Sequence, residues 1–143
     1  MSGKNKLFKM RTYLLLFLLL VGINVNAQQR QISYVKNDGS WYHVYDTNGK
    51  KITTFAKQSY GEVVGWSAEI IVTKSGAWYK ILDPQGKTLK TMSEQTLGTV
   101  ISVSGNTFTS RSGNWISIYD KTGKKLSTHP ANYCFKTSNL KKF

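Results

Sequence analysis

The chain has 143 residues, enough for one domain, and it carries 20 basic against 7 acidic side chains. Its single cysteine, Cys134, excludes an intramolecular disulfide, so the fold is held by its core alone. Cys134 matches the apolar Tyr60 and Leu97 in the repeat register, so we interpret it as a small buried hydrophobic residue, with a reactive or dimer-forming thiol as the alternative. The formal net charge of +13 favours an acidic protein or an anionic polysaccharide as partner, although solubility alone explains the charge equally well. The basic residues form short pairs and no dense run, so nucleic acid is not predicted as a partner.

Residues 1–27 are predicted to be a signal peptide. Four basic side chains precede an uncharged apolar segment, Tyr13–Ile23, and small residues lead to a cleavage point after Ala27. The alternative is a membrane anchor, but a membrane-spanning helix needs about 20 apolar residues. Cleavage would leave residues 28–143, with 16 basic and 7 acidic side chains, as a secreted or periplasmic protein without a stable membrane span.

The remainder of the chain repeats one pattern three times with a period of 37 residues. Each copy has a Gly-x-Trp step, an alternating run and an Asp-x-x-Gly step, and one period shared by three anchor types indicates a repeat protein. We therefore expect residues 28–143 to form a single domain. Its repeats run over about 32–66, 69–103 and 106–143, and their common pattern reads GSWYHVYDTNGKKITT from Gly39, GAWYKILDPQGKTLKT from Gly76 and GNWISIYDKTGKKLST from Gly113.

Each repeat is predicted to form about four short antiparallel strands. Threonine, valine, isoleucine and aromatic residues dominate, as strands prefer, and no helical period of apolar residues appears after the signal peptide, so no helix is expected. The predicted fold class is all-β: three antiparallel β-meander repeats in a compact barrel or propeller-like arrangement. In the first repeat the strands are expected at Ile32–Lys36, Ser40–Tyr45, Lys51–Phe55 and Glu62–Trp66, with turns at Asn37-Asp38-Gly39 and Asp46-Thr47-Asn48-Gly49 and a loose link over Ala56–Gly61.

The Asp-x-x-Gly steps are interpreted as structural turns. An aspartate at the first position accepts hydrogen bonds from backbone amides across the turn, and a glycine at the fourth takes a left-handed conformation. The alternative is a calcium or catalytic site, but each repeat supplies one aspartate without a second acid beside it, whereas calcium needs several oxygen ligands. No metal and no cofactor are therefore expected. The turn residues are Asp46, Gly49, Asp83, Gly86, Asp120 and Gly123.

The strands that contain the repeated tryptophans have two different faces. One face is wholly apolar and is predicted to be core; it carries Tyr42, Val44, Tyr79, Ile81, Ile116 and Ile118. The other face carries a tryptophan, a polar residue and then an aromatic residue or leucine. We interpret it as a packing layer at the joint between repeats, and an aromatic platform for sugar rings or a peptide is the alternative. Its candidate binding residues are Trp41, Trp78, Trp115, Tyr45 and Tyr119.

No residue pattern in the chain indicates catalysis. His43 and His129 do not recur in the other repeats, and neither has a repeated thiol or acid beside it, so a zinc site is not predicted. A nucleophile, histidine and acid triad needs a placed serine, and the serines here are mostly turn or strand-face residues. No glycine-rich phosphate loop follows a strand and opens a helix. No catalytic residue is therefore predicted.

The unit of Gly-x-Trp, strand and Asp-x-x-Gly-Lys resembles the bacterial WG-type repeats. The residue after tryptophan is Tyr42, Tyr79 or Ile116, where that family has glycine. The resemblance implies a propeller-like or other β-repeat binding module, and it carries no catalytic residue across. It covers Gly39–Thr54, Gly76–Thr91 and Gly113–Thr128.

Three repeats leave two exposed edges, and the sequence allows two ways of covering them. In the favoured one, residues 136–143, which stand in the register of Thr99–Asn106, pair with Ile32–Lys36 and close the molecule. In the other, the open ends pair with another copy.

The predicted function is that of a secreted, non-catalytic binding or scaffold module of the bacterial envelope. The first alternative is a carbohydrate-binding module that uses the repeated tryptophans. The second, with the least support from the sequence, is an enzyme of unrecognised type.

Overall fold

The computed structural model describes residues 30–132, which form eleven β-strands and two one-turn helices. The predicted signal peptide 1–27, Cys134 and the predicted closing segment 136–143 lie outside these residues. In chain order the elements are β1 (Ile32–Asp38), β2 (Trp41–Asp46), β3 (Lys51–Ala56), α1 (Lys57–Tyr60), β4 (Glu62–Trp66), β5 (Ile71–Ser75), β6 (Trp78–Leu82), β7 (Thr88–Ser93), α2 (Glu94–Leu97), β8 (Thr99–Ser104), β9 (Thr107–Ser112), β10 (Trp115–Asp120) and β11 (Lys125–Pro130).

The strands form three antiparallel sheets. The first sheet has the order β1-β2-β3, the middle sheet β4-β5-β6-β7 and the last sheet β8-β9-β10-β11. Strands that follow each other in sequence lie side by side, so each tryptophan strand, β2, β6 or β10, is an interior strand of its sheet. The prediction of an all-β, antiparallel chain is confirmed, and the strands described for residues 30–132 do not close into a barrel.

The first hairpin differs in register from the predicted one. Asn37 and Asp38 belong to β1, and Asp38 pairs with Trp41, so the turn consists of Gly39 and Ser40 alone. Gly39 comes first in the turn and has φ +63°. In the described part of the chain only glycines have positive φ, so Ser40, the second turn residue, does not. A two-residue turn with glycine first is the type II′ pattern, which replaces the Asp-Gly turn expected from the sequence.

Two short helices contradict the expectation that no helix forms. Helices α1 and α2 follow β3 and β7, and each has four residues, too few for an apolar helical period to be visible in the sequence. Ser93 caps α2 by accepting a hydrogen bond from the Thr96 amide at 3.2 Å. Gly61 and Gly98 end the two helices with φ +88° and +77°. Within residues 30–132 no helix has the length and apolar character needed to cross a bilayer.

Two apolar clusters join the sheets, and the middle sheet contributes to both. Ile71 and Leu82, on one of its faces, pack with the first sheet, while Val72 and Ile81, on the other, pack with the last sheet. The middle sheet is therefore the central layer of a stack. The first cluster comprises Ile32, Tyr42, Val44, Phe55, Ile71 and Leu82; the second comprises Ile70, Val72, Tyr79, Ile81, Leu97, Phe108 and Tyr119.

The face predicted to be core is buried in the first two sheets, but the prediction is wrong for the last one. Ile116 and Ile118 are only half-buried. On β10 the opposite face is buried: Tyr119, a candidate binding residue, lies in the second cluster and stacks on Phe108 with 5.4 Å between ring centroids. The reason is position, because the last sheet ends the described stack and its outward face has no following sheet to pack against.

Candidate binding surface

Each repeated tryptophan opens the interior strand of its sheet, directly after a two-residue turn. A backbone hydrogen bond joins that turn to the residue directly after the strand that follows the tryptophan strand, which is β3, β7 or β11. We call these three places, with Trp41, Trp78 and Trp115, the tryptophan corners. The amide groups donate from Lys57 to the carbonyl of Ser40 at 2.9 Å, from Glu94 to that of Ala77 at 2.8 Å, and from Ala131 to that of Asn114 at 2.7 Å.

The tryptophans are exposed, which contradicts their interpretation as a packing layer. Trp41, Trp78 and Trp115 expose 50%, 55% and 55% of their surface. Burial changes along a single strand face, because Leu82 is fully buried while Trp78, at the other end of β6, is open to solvent. The joint between sheets therefore covers the Leu82 end of the strands and stops short of the tryptophan corners.

Two of the tryptophans each line an open cleft. The cleft at Trp41 has a volume of about 370 Å³ and the cleft at Trp115 a volume of about 590 Å³. Both clefts combine an indole, amide side chains and a cation, a set that suits ligands with apolar ring faces, hydroxyl groups and acidic groups. The lining residues are Gly39, Ser40, Trp41, Ala56, Lys57 and Gln58 in the first cleft, and Arg111, Asn114, Trp115, Pro130, Ala131 and Asn132 in the second.

The cations of the two clefts are held in different ways. Lys57 Nζ lies 2.7 Å from Glu62 Oε1, and this bond raises the pKa of Lys57 and lowers the pKa of Glu62. Glu62 also accepts a hydrogen bond from the Tyr42 hydroxyl at 2.7 Å, and burial, followed by this bond, raises the pKa of Tyr42. Arg111 instead donates Nε to the carbonyl oxygen of Gly113 at 3.0 Å. The guanidinium is thus oriented by the turn that carries the tryptophan.

The two candidate tyrosines do not join the tryptophan corners. Tyr45 lies towards the opposite end of β2 from Trp41 and stacks on Tyr34, with ring centroids 4.7 Å apart and planes inclined by 13°. Tyr119 has the equivalent place on β10 and is buried. The aromatic face proposed from the sequence therefore separates into an exposed tryptophan end and a tyrosine end that is half-buried at Tyr45 and buried at Tyr119.

The aspartates of the Asp-x-x-Gly steps bind the turns in which they stand. One carboxylate oxygen of each accepts hydrogen bonds from the amides two and four residues later, at 2.9 to 3.0 Å. The Thr122 hydroxyl donates a further bond to Asp120 at 2.6 Å, and it holds the pKa of Asp120 below its ordinary value. The His43 ring also forms a local hydrogen bond, with Nδ1 2.9 Å from Thr54 Oγ1 on the neighbouring strand. Across residues 30–132 no three His, Cys, Asp or Glu side chains come together as a metal site.

Sequence reasoning missed two members of this surface, Lys57 and Arg111, and one exposed tryptophan outside it, Trp66. Lys57 and Arg111 reach the clefts from segments next to the tryptophan strands, and only strand pairing brings them there. The pairing of Arg111 with Ile116 follows from the two-residue turn at Gly113, so the hairpin signal contained part of this information. Trp66, 38% exposed at the end of β4, has no repeated counterpart and gave no signal.

Comparison with known proteins identifies no relative from which a function could be inferred. No protein-family model matches the chain, and a search of curated proteins finds no match. The function is therefore argued from the tryptophan corners and their clefts.

Proposed function

We propose that this protein is a secreted, non-catalytic binding module of the bacterial envelope whose ligand lies across the tryptophan corners. The observation that carries the proposal is the exposure of half or more of Trp41, Trp78 and Trp115 at positions 37 residues apart. A single exposed aromatic residue needs no explanation, but large apolar side chains exposed at equivalent places favour an interaction site. The cleavage pattern that ends at Ala27 supports export.

The proposal includes a propeller-like arrangement of three repeats. The middle and last sheets each have four strands in sequential order, as propeller blades do, and neighbouring sheets meet face to face. Equivalent positions fill both joints, since Leu82 in the first joint and Tyr119 in the second are 37 residues apart. The likeness of the sequence unit to WG-type repeats supports the same arrangement. In such an array the tryptophan corners lie on one side of the molecule.

An anionic polysaccharide is the ligand class that the site favours. The apolar face of a sugar ring stacks on an exposed indole, and covering about 80 Å² of each indole at about 25 cal/mol per Å² contributes about 2 kcal/mol per site before the entropic cost of binding. Lys57, Arg111 and the excess of basic residues favour acidic groups on the polymer. A linear polymer can occupy several corners at once, which raises its affinity. An acidic protein is the alternative partner.

Titration of the exported protein, residues 28–143, with polygalacturonate and with neutral dextran tests the proposal. We expect binding of the acidic polymer, a change in tryptophan emission, and weaker binding at high salt. Loss of about 2 kcal/mol corresponds to a roughly 30-fold weaker affinity, which we expect for Trp78→Ala and for Trp115→Ala.

Trp66→Ala is the matched control, because Trp66 is an exposed tryptophan outside the corners and its loss should leave the affinity unchanged. Binding of dextran alone would change the ligand class. Equal affinities of the corner variants and the unmodified protein for every polymer would overturn the site.

A further inference from the structure

Among the sheets formed by residues 30–132, two faces have no neighbouring sheet. The outward face of the first sheet, the N-terminal face, carries Tyr34, His43 and Tyr45; the outward face of the last sheet, the C-terminal face, carries Ile116, Ile118 and Leu126. Leu126 is placed there by its counterpart Ile52, which packs against the cluster between the first and middle sheets, whereas its nearer counterpart Leu89 is 38% exposed, so Ile116 and Ile118 are the positions of this face that a joint buries. Leu126 is 52% exposed and Tyr34 is 43% exposed. Both ends of the stack thus present apolar side chains to solvent.

The residues of these two faces have counterparts in other repeats, and those counterparts pack against each other inside the molecule. Between the middle and last sheets, Tyr79 and Ile81 pack with Phe108 and Tyr119. The positions 37 residues after the first pair are the two isoleucines of the C-terminal face. The positions 74 residues before the second pair are the two tyrosines of the N-terminal face. The outward faces are therefore the two halves of one more joint of the same kind.

The N-terminal face already has the form of its buried counterpart. Phe108 and Tyr119 stack with planes inclined by 10° and are 1% and 3% exposed. Tyr34 and Tyr45 form the same stacked pair, with planes inclined by 13°, on a sheet that lacks a cover. An aromatic side chain buries about 150–250 Å² when it is enclosed. Covering this pair would therefore remove a substantial apolar area from water.

The turn glycines show where a preceding sheet is seated. A Cβ on Gly123 would lie 2.8 Å from Met92 Sδ, because the turn of the last sheet lies over β7 of the middle sheet. A Cβ on Gly86 would lie 3.5 Å from Thr53 Cγ2 of the first sheet in the same way. At Gly49, the counterpart in the first sheet, a Cβ would meet no atom of residues 30–132 within 4 Å. The space that a preceding sheet occupies elsewhere is open here.

One difference between the repeats fits a partner that begins with the first sheet. The hydroxyls of Tyr42 and Tyr79 accept hydrogen bonds from the amides of Val63 and Val100, on strands β4 and β8 of the following sheet, at 3.3 and 3.4 Å. The third equivalent position holds Ile116, which has no hydroxyl. Within the described residues the first sheet has no strand that corresponds to β4 or β8. A tyrosine facing that sheet would lack this partner, and isoleucine needs none.

We infer that two copies of this chain associate head to tail, with the N-terminal face of one copy on the C-terminal face of the other. The contact reproduces a joint that forms twice within the chain, and the two faces of one molecule do not cover each other because both are exposed. Two such contacts join two copies into a closed ring of six sheets, within the range of about four to eight blades found in propellers. The face pairing is independent of the proposed ligand, whereas ring closure rests on the proposed propeller-like arrangement.

Sedimentation of the exported protein, residues 28–143, at micromolar concentration tests the inference, and we expect twice the mass of one chain. Tyr34→Lys changes only the N-terminal face and Ile118→Lys, at the counterpart of the fully buried Ile81, only the C-terminal face. Each places an unpaired charge in an apolar contact, so each variant should sediment as a monomer and dissociate at least ~100-fold more readily. Val64→Lys, a change at a 42% exposed apolar residue on β4 of the middle sheet, which forms neither outward face, is the matched control and should remain dimeric. Circular dichroism checks that all variants stay folded.

A mixture of the two single-face variants distinguishes the geometries. In a head-to-tail pair the intact C-terminal face of the Tyr34→Lys protein meets the intact N-terminal face of the Ile118→Lys protein, so the mixture should form one-to-one pairs. A symmetric dimer through one face would leave one variant dimeric alone and gain nothing on mixing, which would overturn the inference. A monomeric unmodified protein would also overturn it. Species larger than two chains would support the face pairing and overturn ring closure.

Discussion

Replacing Gly98 by alanine should destabilise the protein far more than the same change at Gly49. Both glycines have positive φ, +77° and +75°. Gly98 lies between α2 and β8, where a Cβ would collide with the carbonyl group of Arg111, and these are backbone atoms that no side-chain rotation can move. At Gly49 a Cβ would meet nothing within 4 Å. The pair of variants therefore separates the close approach of two backbone segments from the simple requirement for positive φ.

The expected losses of folding free energy follow from two costs, that of positive φ in a non-glycine residue and that of the collision with backbone atoms. A non-glycine residue in the left-handed region costs about 1–2 kcal/mol, which is the whole expected loss at Gly49. Gly98 has ψ −147°, close to a region that glycine alone occupies, and the collision adds an overpacking cost of about 1–3 kcal/mol. We therefore expect a loss of about 2–5 kcal/mol at Gly98, a large part of the roughly 5–15 kcal/mol by which a domain is stable.

Urea denaturation followed by tryptophan fluorescence measures both losses, with all proteins at one concentration because association also contributes to apparent stability. In a domain of about 100 residues each kcal/mol lowers the melting temperature by roughly 4–8 °C, so thermal melts give a second reading. Gly61→Ala repeats the comparison, since its Cβ would collide with the carbonyl group of Lys74. Equal losses at Gly98 and Gly49 would refute the argument that backbone contact at the helix ends holds neighbouring strands together.

Two further predictions concern acid stability and export. Lys57, and then Tyr42, hold the pKa of Glu62 below its ordinary value of 4.5, so the ionised side chain stabilises the fold fully above that value and loses this contribution as the pH falls through the lowered pKa. Glu62→Gln should therefore flatten the acid side of the stability–pH curve, and an unchanged curve would contradict this. N-terminal sequencing of the exported protein should begin at Gln28, and a chain that retains Tyr13–Ile23 would rule out the signal peptide.

The strands and their antiparallel pairing could be predicted because their signals are local. Alternation of apolar and polar residues, glycine in two-residue turns and the Asp-x-x-Gly step act over a few residues and repeat three times. The register of the first hairpin was wrong because Gly39 can take the second place of an Asp-Gly turn or the first place of a Gly-Ser turn. An Asp-Gly turn needs positive φ at Asp38, and in the described residues only glycines have it. The helices were missed because a single turn leaves no period.

Burial at the ends of the stack could not be predicted from the repeat. A period assigns the same surroundings to Ile81 and Ile118, yet the first is fully buried and the second is half-buried, because burial depends on whether another sheet follows. The same limit explains Tyr119, which was proposed for binding and is core. The tryptophans were expected at the joint for a related reason: sequence alternation gives the face of a side chain but not how far along the strand the neighbouring sheet extends.

The central place of the middle sheet determines how the molecule can come apart. In an array of this kind stability is a sum of what each unit contributes and of couplings between nearest neighbours, and both couplings described here end on the middle sheet. In a single chain separated from any second copy, opening that sheet breaks both, so the amides of β5 and β6 are released only when the whole chain unfolds, while either outer sheet can open alone at lower free energy. Cooperativity is thus concentrated in the middle of the sequence, and fraying begins at its two ends.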